Sequence, residues 1–179
     1  MKTLTLLRHA KSGWDDAVPR DLDRPLNPKG RRAAQAMGRE LRAMGLDFDR
    51  VIASPAVRVR ETIDEVERGL GRALAPEWDR RLYLASAATL LDVVHEQDER
   101  AETVLLVGHN PGLEELVLAL VPEAPGGLRD AVEEKYPTAT LAEMTFAADR
   151  WEAVASGGAT LTRFVRPRDI DATLGPDGE

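Results

Sequence analysis

The stretch ETVLLVGHNPGLEELVLALV, residues 102–121, constrains the fold more than any other. A short β-branched and leucine run stops at a Gly-His-Asn-Pro-Gly turn and gives way to a helical pattern, so it reads as buried strand, tight turn, helix. Strands that are apolar throughout need cover on both faces, which helices of an α/β fold supply. The rest of the chain repeats the alternation. TLTLLR (3–8) is a predicted strand. NPKGRRAAQAMGRELRAMG (27–45) is a predicted helix, with Asn27 as cap, Pro28 in the first position, Gly45 closing it and Ala33, Met37, Leu41 and Met44 on one face. DFDRVIAS (47–54) is a second strand. It runs into SPAVRVRETIDEVERGLG (54–71), a helix in which Ser54 is the expected cap and Pro55 the first helical residue. Val59, Ile63, Val66 and Leu70 form its buried stripe. SAATLLDVVHEQ (86–97) reads as a helix, and ALAPEWDRRLYL (73–84) fits neither period. Near the end, TATLAEMTFA (138–147) and RWEAVAS (150–156) read as an antiparallel pair, with ATLTRFVRPRDI (159–170) a last strand or an extended tail. The expected fold is therefore an α/β sandwich around a mostly parallel sheet.

At 179 residues the chain suits one domain, residues 1–179, which buries roughly 70% of its unfolded surface without disulfide or metal staples. It has no cysteine, so disulfides and Cys-based metal sites are out. A net charge of −7 and an aromatic content of 4% argue against a nucleic-acid partner, although a local cationic pocket remains compatible with both. No window approaches the ~20 apolar residues of a membrane span, and the N-terminus lacks a signal-type apolar run. A cytoplasmic protein with no membrane partner is the expectation.

Ligands of open α/β sheets gather beyond the carboxyl ends of the strands. Two of the three histidines fall at such ends, His9 after TLTLL and His109 after TVLLVG, whereas His95 lies in a helical pattern. Arg8 stands beside His9. Arg58 follows the second strand in the first turn of its helix, where a cation is disfavoured by the helix dipole unless an anion binds between them. A solvated arginine is the plainer reading of Arg58 taken alone. Asn110 can cap the helix after His109, and Pro111 can start it. Converging, these residues would suit a phosphoryl group, since guanidinium forks match phosphate oxygens and a neutral imidazole nitrogen can attack phosphorus. Metal-ligand spacings such as HxH and HExxH are absent, as are GxGxxG, a Walker loop and GxSxG.

The run LLRHAKSGWDD resembles the signature of the histidine phosphatase superfamily, in which Arg-His precedes Gly or Ala. Three further segments are similar to that family in the same order: RPLNPKGRRAAQAMG, IASPAVRVRETID with its Ser-Pro-x-x-Arg-x-x-x-Thr pattern, and VLLVGHNPGLEEL. The wording of RHAKS and GHNPGLEEL looks most like the SixA-like phosphohistidine phosphatases. The resemblance implies a three-layer α/β/α sandwich, His9 as nucleophile, and Arg8, Arg58 and His109 as holders of the phosphoryl oxygens. It implies no metal or organic cofactor. Two departures stand out. The family's mutases often carry Asn where this chain has Asp15, which would repel phosphate and is better read as a solvated loop carboxylate. Many relatives also place a carboxylic acid where this chain reads RRLYLAS, and no motif singles out nearby Glu77 or Asp79. The partner implied is a phosphohistidine-bearing protein or a small phosphorylated substrate. The competing readings are a phosphomonoesterase for a metabolite and a non-catalytic phosphate-binding module.

Overall fold

The computed structural model describes residues 1–13, 18, 20–124 and 126–176. Six strands form one sheet: β1 (Lys2–Arg8), β2 (Arg50–Ala53), β3 (Glu77–Trp78), β4 (Thr103–Gly108), β5 (Leu141–Phe146) and β6 (Ala159–Val165). Their order is β3-β2-β4-β1-β5-β6. The first four strands in this order run parallel to one another, while β5 is antiparallel to β1 and β6 to β5. The expected mostly parallel sheet is present.

Among the described residues six helices cover it: α1 (Pro28–Ala43), α2 (Val57–Leu70), α3 (Ala87–His95), α4 (Gly112–Leu120), α5 (Leu128–Glu134) and α6 (Pro167–Ile170). Side chains alternate across a strand, and the sheet accordingly feeds two cores. Leu4, Leu6, Val104 and Leu106 pack with Leu90 and Val93 of α3, Leu116 and Val117 of α4 and Val132 of α5. Leu7, Val51, Ala53, Leu105 and Val107 pack with Ala33, Met37 and Leu41 of α1 and with Val59, Ile63 and Val66 of α2. The result is the three-layer α/β/α sandwich.

Two glycines of α1 set how closely its neighbours approach. A Cβ on Gly38 would stand 2.1 Å from the Val66 carbonyl oxygen of α2, so the two helices meet backbone to backbone. A Cβ on Gly30 would stand 2.1 Å from the Lys11 carbonyl oxygen, which seats the first turn of α1 directly on the chain that leaves β1.

Several local expectations are corrected. RWEAVAS is not a strand: Trp151–Ala153 form a 3₁₀ turn, and the place beside β5 expected for it is taken by β6, on the side of β5 away from β1. The α2 helix begins at Val57 with Ala56 in the cap position, so Ser54 is not its cap and Pro55 precedes it. Likewise α4 starts at Gly112 with Pro111 in the cap position, although the Asn110 side chain still accepts from the Glu114 amide at 3.2 Å. The short α5 was not foreseen from the sequence. ALAPEWDRRLYL resolves into the two-residue β3 and a 3₁₀ turn at Arg80–Leu82. Among the described residues no helix is long and apolar enough to cross a membrane.

Candidate active site

Strand register brings the histidines together. The β1–β4 ladder ends with Arg8 opposite Gly108, so His9 and His109 leave the sheet side by side. Their ring centroids are 5.3 Å apart. The β2–β4 ladder ends with Ala53 opposite Val107, which puts Ser54 beside the same exit. Its Oγ lies 2.7 Å from His109 Nε2. Arg58 enters from the first turn of α2 and is buried. One turn later, the Thr62 hydroxyl donates to the Arg58 carbonyl at 2.6 Å and accepts from the Ala10 amide at 2.9 Å. Thr62 thus ties the helix that carries Arg58 to the chain that follows His9.

The hydrogen bonds assign both imidazole tautomers. His9 Nδ1 lies 2.7 Å from the Ala10 carbonyl oxygen. A carbonyl can only accept, so Nδ1 carries the proton and Nε2 keeps its lone pair. That Nε2 is 3.4 Å from Arg58 Nε, a long and weak contact. Arg58 Nη2 donates toward His109 Nδ1 at 3.3 Å, so the His109 proton sits on Nε2 and is donated to Ser54.

Burial holds both imidazoles neutral. Withdrawal from water lowers the His9 pKa to about 3, with the Ala10 hydrogen bond opposing the shift and the neighbouring His109, Arg8 and Arg58, beside which a second positive charge is disfavoured, adding to it. His109 is also lowered to about 3, first by burial and then by Arg58, with Asp21 pulling the other way and Arg8 adding a smaller lowering. An unprotonated His9 Nε2 next to two guanidinium groups is a poised nucleophile for an anionic electrophile.

Arg8 Nη1 donates to the Tyr136 carbonyl at 2.8 Å, and Asn110 Nδ2 reaches the same oxygen at 3.1 Å. Tyr136 is itself buried, and its hydroxyl donates to the Leu6 carbonyl at 2.8 Å. A buried ring therefore anchors the backbone that positions Arg8.

All four residues expected from the sequence, Arg8, His9, Arg58 and His109, meet at this edge of the sheet. The structure adds Asp21, which sequence reasoning missed. Its carbonyl accepts from Arg58 Nη1 at 2.8 Å and its Oδ2 from Arg58 Nη2 at 3.0 Å. The Tyr83 hydroxyl donates to the same Oδ2 at 2.6 Å, and Arg24 Nη1 donates to Oδ1 at 2.9 Å. Burial alone would raise the Asp21 pKa, but Tyr83, Arg24 and Arg58 outweigh it and bring the carboxyl down to about 2. Asp21 is a held carboxylate. Nothing in its local sequence announces this, whereas Thr62 sits in the quoted Arg-x-x-x-Thr pattern. Glu77 and Asp79 do not enter the site: Glu77 pairs with Arg50 at 2.6 Å and Asp79 with Arg81 at 2.9 Å. Asp15 lies outside the described residues.

The model of the histidine phosphatase superfamily (branch 1) matches residues 4–83. An uncharacterized protein of Mycobacterium tuberculosis is 34% identical over 164 residues, covering 90% of this chain and all of its own length. Among solved structures, the putative phosphohistidine phosphatase SixA of Nakamurella multipartitia is 31% identical with a TM-score of 0.81, covering 93% of this chain and 96% of that one. Its counterpart from Agrobacterium tumefaciens is 29% identical with a TM-score of 0.77, covering 93% and 98%. The ladder that seats two histidines at neighbouring strand ends, the arginine between them and these likenesses agree: the chain belongs to the histidine phosphatase superfamily, in its SixA-like branch.

Proposed function

We propose that this phosphatase removes phosphoryl groups from phosphohistidine on a protein, through a covalent intermediate on His9. The His9 Nε2 lone pair forms a bond to phosphorus while the bond to the leaving group breaks on the opposite side. Arg8 and Arg58 hold the non-bridging oxygens and take up the charge that develops there, and His109 joins them as a donor when the arriving phosphoryl anion favours protonation of its Nδ1. Water then attacks the phosphorus, the P–Nε2 bond breaks with its electron pair returning to Nε2, and inorganic phosphate carrying the water's oxygen and protons leaves with His9 neutral again.

The observation that carries the substrate reading is the state of Asp21. Among the described residues it is the carboxylate bonded to Arg58, and it stays ionised down to a pH of about 2. At neutral pH it has no proton to give. An alkyl phosphate expels a poor alkoxide unless a positioned acid protonates it during bond cleavage. The imidazole of phosphohistidine, once protonated on its ring, departs as a neutral molecule and needs no such acid. The likeness to structures named as SixA phosphohistidine phosphatases supports the same direction.

The test compares kcat/KM on a phosphohistidine peptide with kcat/KM on a sugar phosphate. General acids contribute ~10²–10⁴-fold, so the peptide is expected to lead by at least ~100-fold. Equal efficiency on both would replace this reading with the metabolite-phosphatase alternative. A non-catalytic module is disfavoured by the neutral, correctly oriented His9 Nε2, which a pure binder does not require.

The reaction is also proposed to need no divalent metal, because Arg8 and Arg58 supply the positive field at the phosphoryl position. Full activity is expected after exhaustive chelation. Loss of activity with EDTA, restored by one specific ion, would contradict it.

A further inference from the structure

The two imidazoles of the site are anchored through opposite nitrogens, to partners of different kinds. His9 is held at Nδ1 by the Ala10 carbonyl at 2.7 Å. A carbonyl only accepts, so this tautomer is fixed and the Nε2 lone pair stays available. His109 is held at Nε2 by the Ser54 hydroxyl at 2.7 Å. A hydroxyl carries one proton and two lone pairs. One lone pair of Ser54 Oγ faces the Ala56 amide at 3.3 Å, which leaves the other lone pair and the proton able to turn to His109. Ser54 can therefore stay hydrogen-bonded to His109 Nε2 whether that nitrogen gives a hydrogen bond or receives one.

That freedom matters at the other end of the ring. Arg58 points Nε at His9 Nε2 and Nη2 at His109 Nδ1, so a phosphoryl group arriving on His9 Nε2 comes up beside His109 Nδ1. In the structure that Nδ1 is an acceptor, facing Arg58 Nη2 at 3.3 Å. A nitrogen lone pair repels a phosphoryl oxygen, whereas an N–H attracts it. His109 Nδ1 must therefore change from acceptor to donor for the ring to help hold the anion. Among the described residues, burial and then the Arg58 charge oppose a charged ring, Asp21 favours it and Arg8 opposes it. His9, with ring centroids 5.3 Å apart, and Tyr83, edge-on at 5.4 Å, flank the imidazole. Ser54 is wholly buried, and its amide donates to the Val107 carbonyl at 3.0 Å, so the hydroxyl is fixed against the ring.

We propose that Ser54 is a positioning residue of the phosphatase reaction: its hydroxyl aims His109 Nδ1 at the phosphoryl group and lets that nitrogen change from acceptor to donor while Nε2 keeps its hydrogen bond. The proposal rests on the phosphatase reading. It concerns the oxyanion and not the leaving group, so it stands whether or not phosphohistidine is the preferred substrate. Without the hydroxyl, a buried Nε2 is left unpaired, and the penalty is largest when the ring carries a proton on both nitrogens.

Ser54→Ala is expected to lower kcat by about 10- to 100-fold, less than the ~10²–10³-fold of removing an oxyanion donor outright. The effect should disappear in a His109→Ala background, where adding Ser54→Ala costs less than about twofold, as for residues that act as one unit. If Ser54 served only to seat the start of α2, the two losses would multiply instead. Histidine nitrogen NMR of the wild-type protein reads the same step without turnover, with tungstate as the oxyanion probe. The His109 proton is expected on Nε2 in the free protein, and Nδ1 is expected to be protonated once tungstate saturates the site. Calorimetry should find tungstate binding weakened about tenfold in Ser54→Ala, the loss of one hydrogen bond to a charged group. Losses that multiply, an Nδ1 that stays unprotonated with tungstate bound, or tungstate affinity unchanged in Ser54→Ala overturns the proposal. A wild-type protein that binds tungstate but turns over no phosphoryl compound sinks the phosphatase reading instead, and the tungstate measurements still decide whether Ser54 sets up the His109 donor.

Discussion

Replacing His9 by alanine is expected to lower kcat/KM by at least about 10⁴-fold, because a group that forms the covalent intermediate has no neighbour able to replace it. His109 cannot take over. Its Nε2 is committed to Ser54 at 2.7 Å and its Nδ1 faces Arg58 at 3.3 Å. Circular dichroism and Tm should show that the variant still folds. The protonation state of His9 adds a pH signature. With a pKa lowered to about 3 it is in its nucleophilic form at every pH from about 4 upward. Because kcat/KM reports ionisations of the free enzyme and free substrate, protonation of His9 gives no acid limb between pH 5 and 8. A limb in that range should move with the pKa of the substrate's phosphoryl group when substrates are exchanged. Activity above about 1% in His9→Ala, or an acid limb near pH 6.5 that ignores the substrate, would contradict this role.

Arg58→Ala is expected to cost ~10²–10³-fold in kcat, the range for removing one preorganised donor from a developing anion. The guanidinium is fixed before any substrate arrives. Its Nη1 and Nη2 are held by the carbonyl and carboxylate of Asp21 at 2.8 and 3.0 Å, and Nε points at His9 Nε2. Arg58→Lys should recover little, since an ammonium cannot reproduce the planar fork. Asp21→Asn keeps the shape and removes the charge, and is expected to weaken catalysis less than Arg58→Ala does. A loss below tenfold in Arg58→Ala, measured under saturating substrate, would place this residue outside the phosphoryl position.

The sequence was most informative where chemistry and local structure coincide. His9 and His109 each follow a short apolar strand, and an α/β sheet sends such residues to its ligand-binding edge. Their adjacency then depended only on β1 and β4 being neighbours, which the Arg8–Gly108 register realises. The helical stripes of α1 and α2 were legible for the same reason: burial on one face imposes the period. What failed depended on contacts distant in sequence. Ser54 looks like a helix cap, yet its hydroxyl is engaged by a histidine 55 residues further along the chain, and the helix starts beyond it. RWEAVAS has strand-like alternation. Its tryptophan instead plugs a core, with Nε1 donating to the Ala101 carbonyl at 2.7 Å, and the Val154 carbonyl is bonded to His95 Nε2 at 2.7 Å. Asp21 lies 37 residues from Arg58 in a turn without periodicity, so only the folded chain identifies it as that arginine's anchor.

The most direct measurement is the position of the phosphoryl group in quenched wild-type enzyme. His9 Nδ1 donates to the Ala10 carbonyl at 2.7 Å, which leaves Nε2 as the attacking atom. Rapid alkaline denaturation during turnover, followed by phosphorus NMR and peptide mapping, is predicted to find an acid-labile, base-stable phosphoryl group on Nε2 of His9. A phosphoryl group on Nδ1, on His109 or on a carboxylate, or turnover that yields no covalent intermediate at all, would contradict the account.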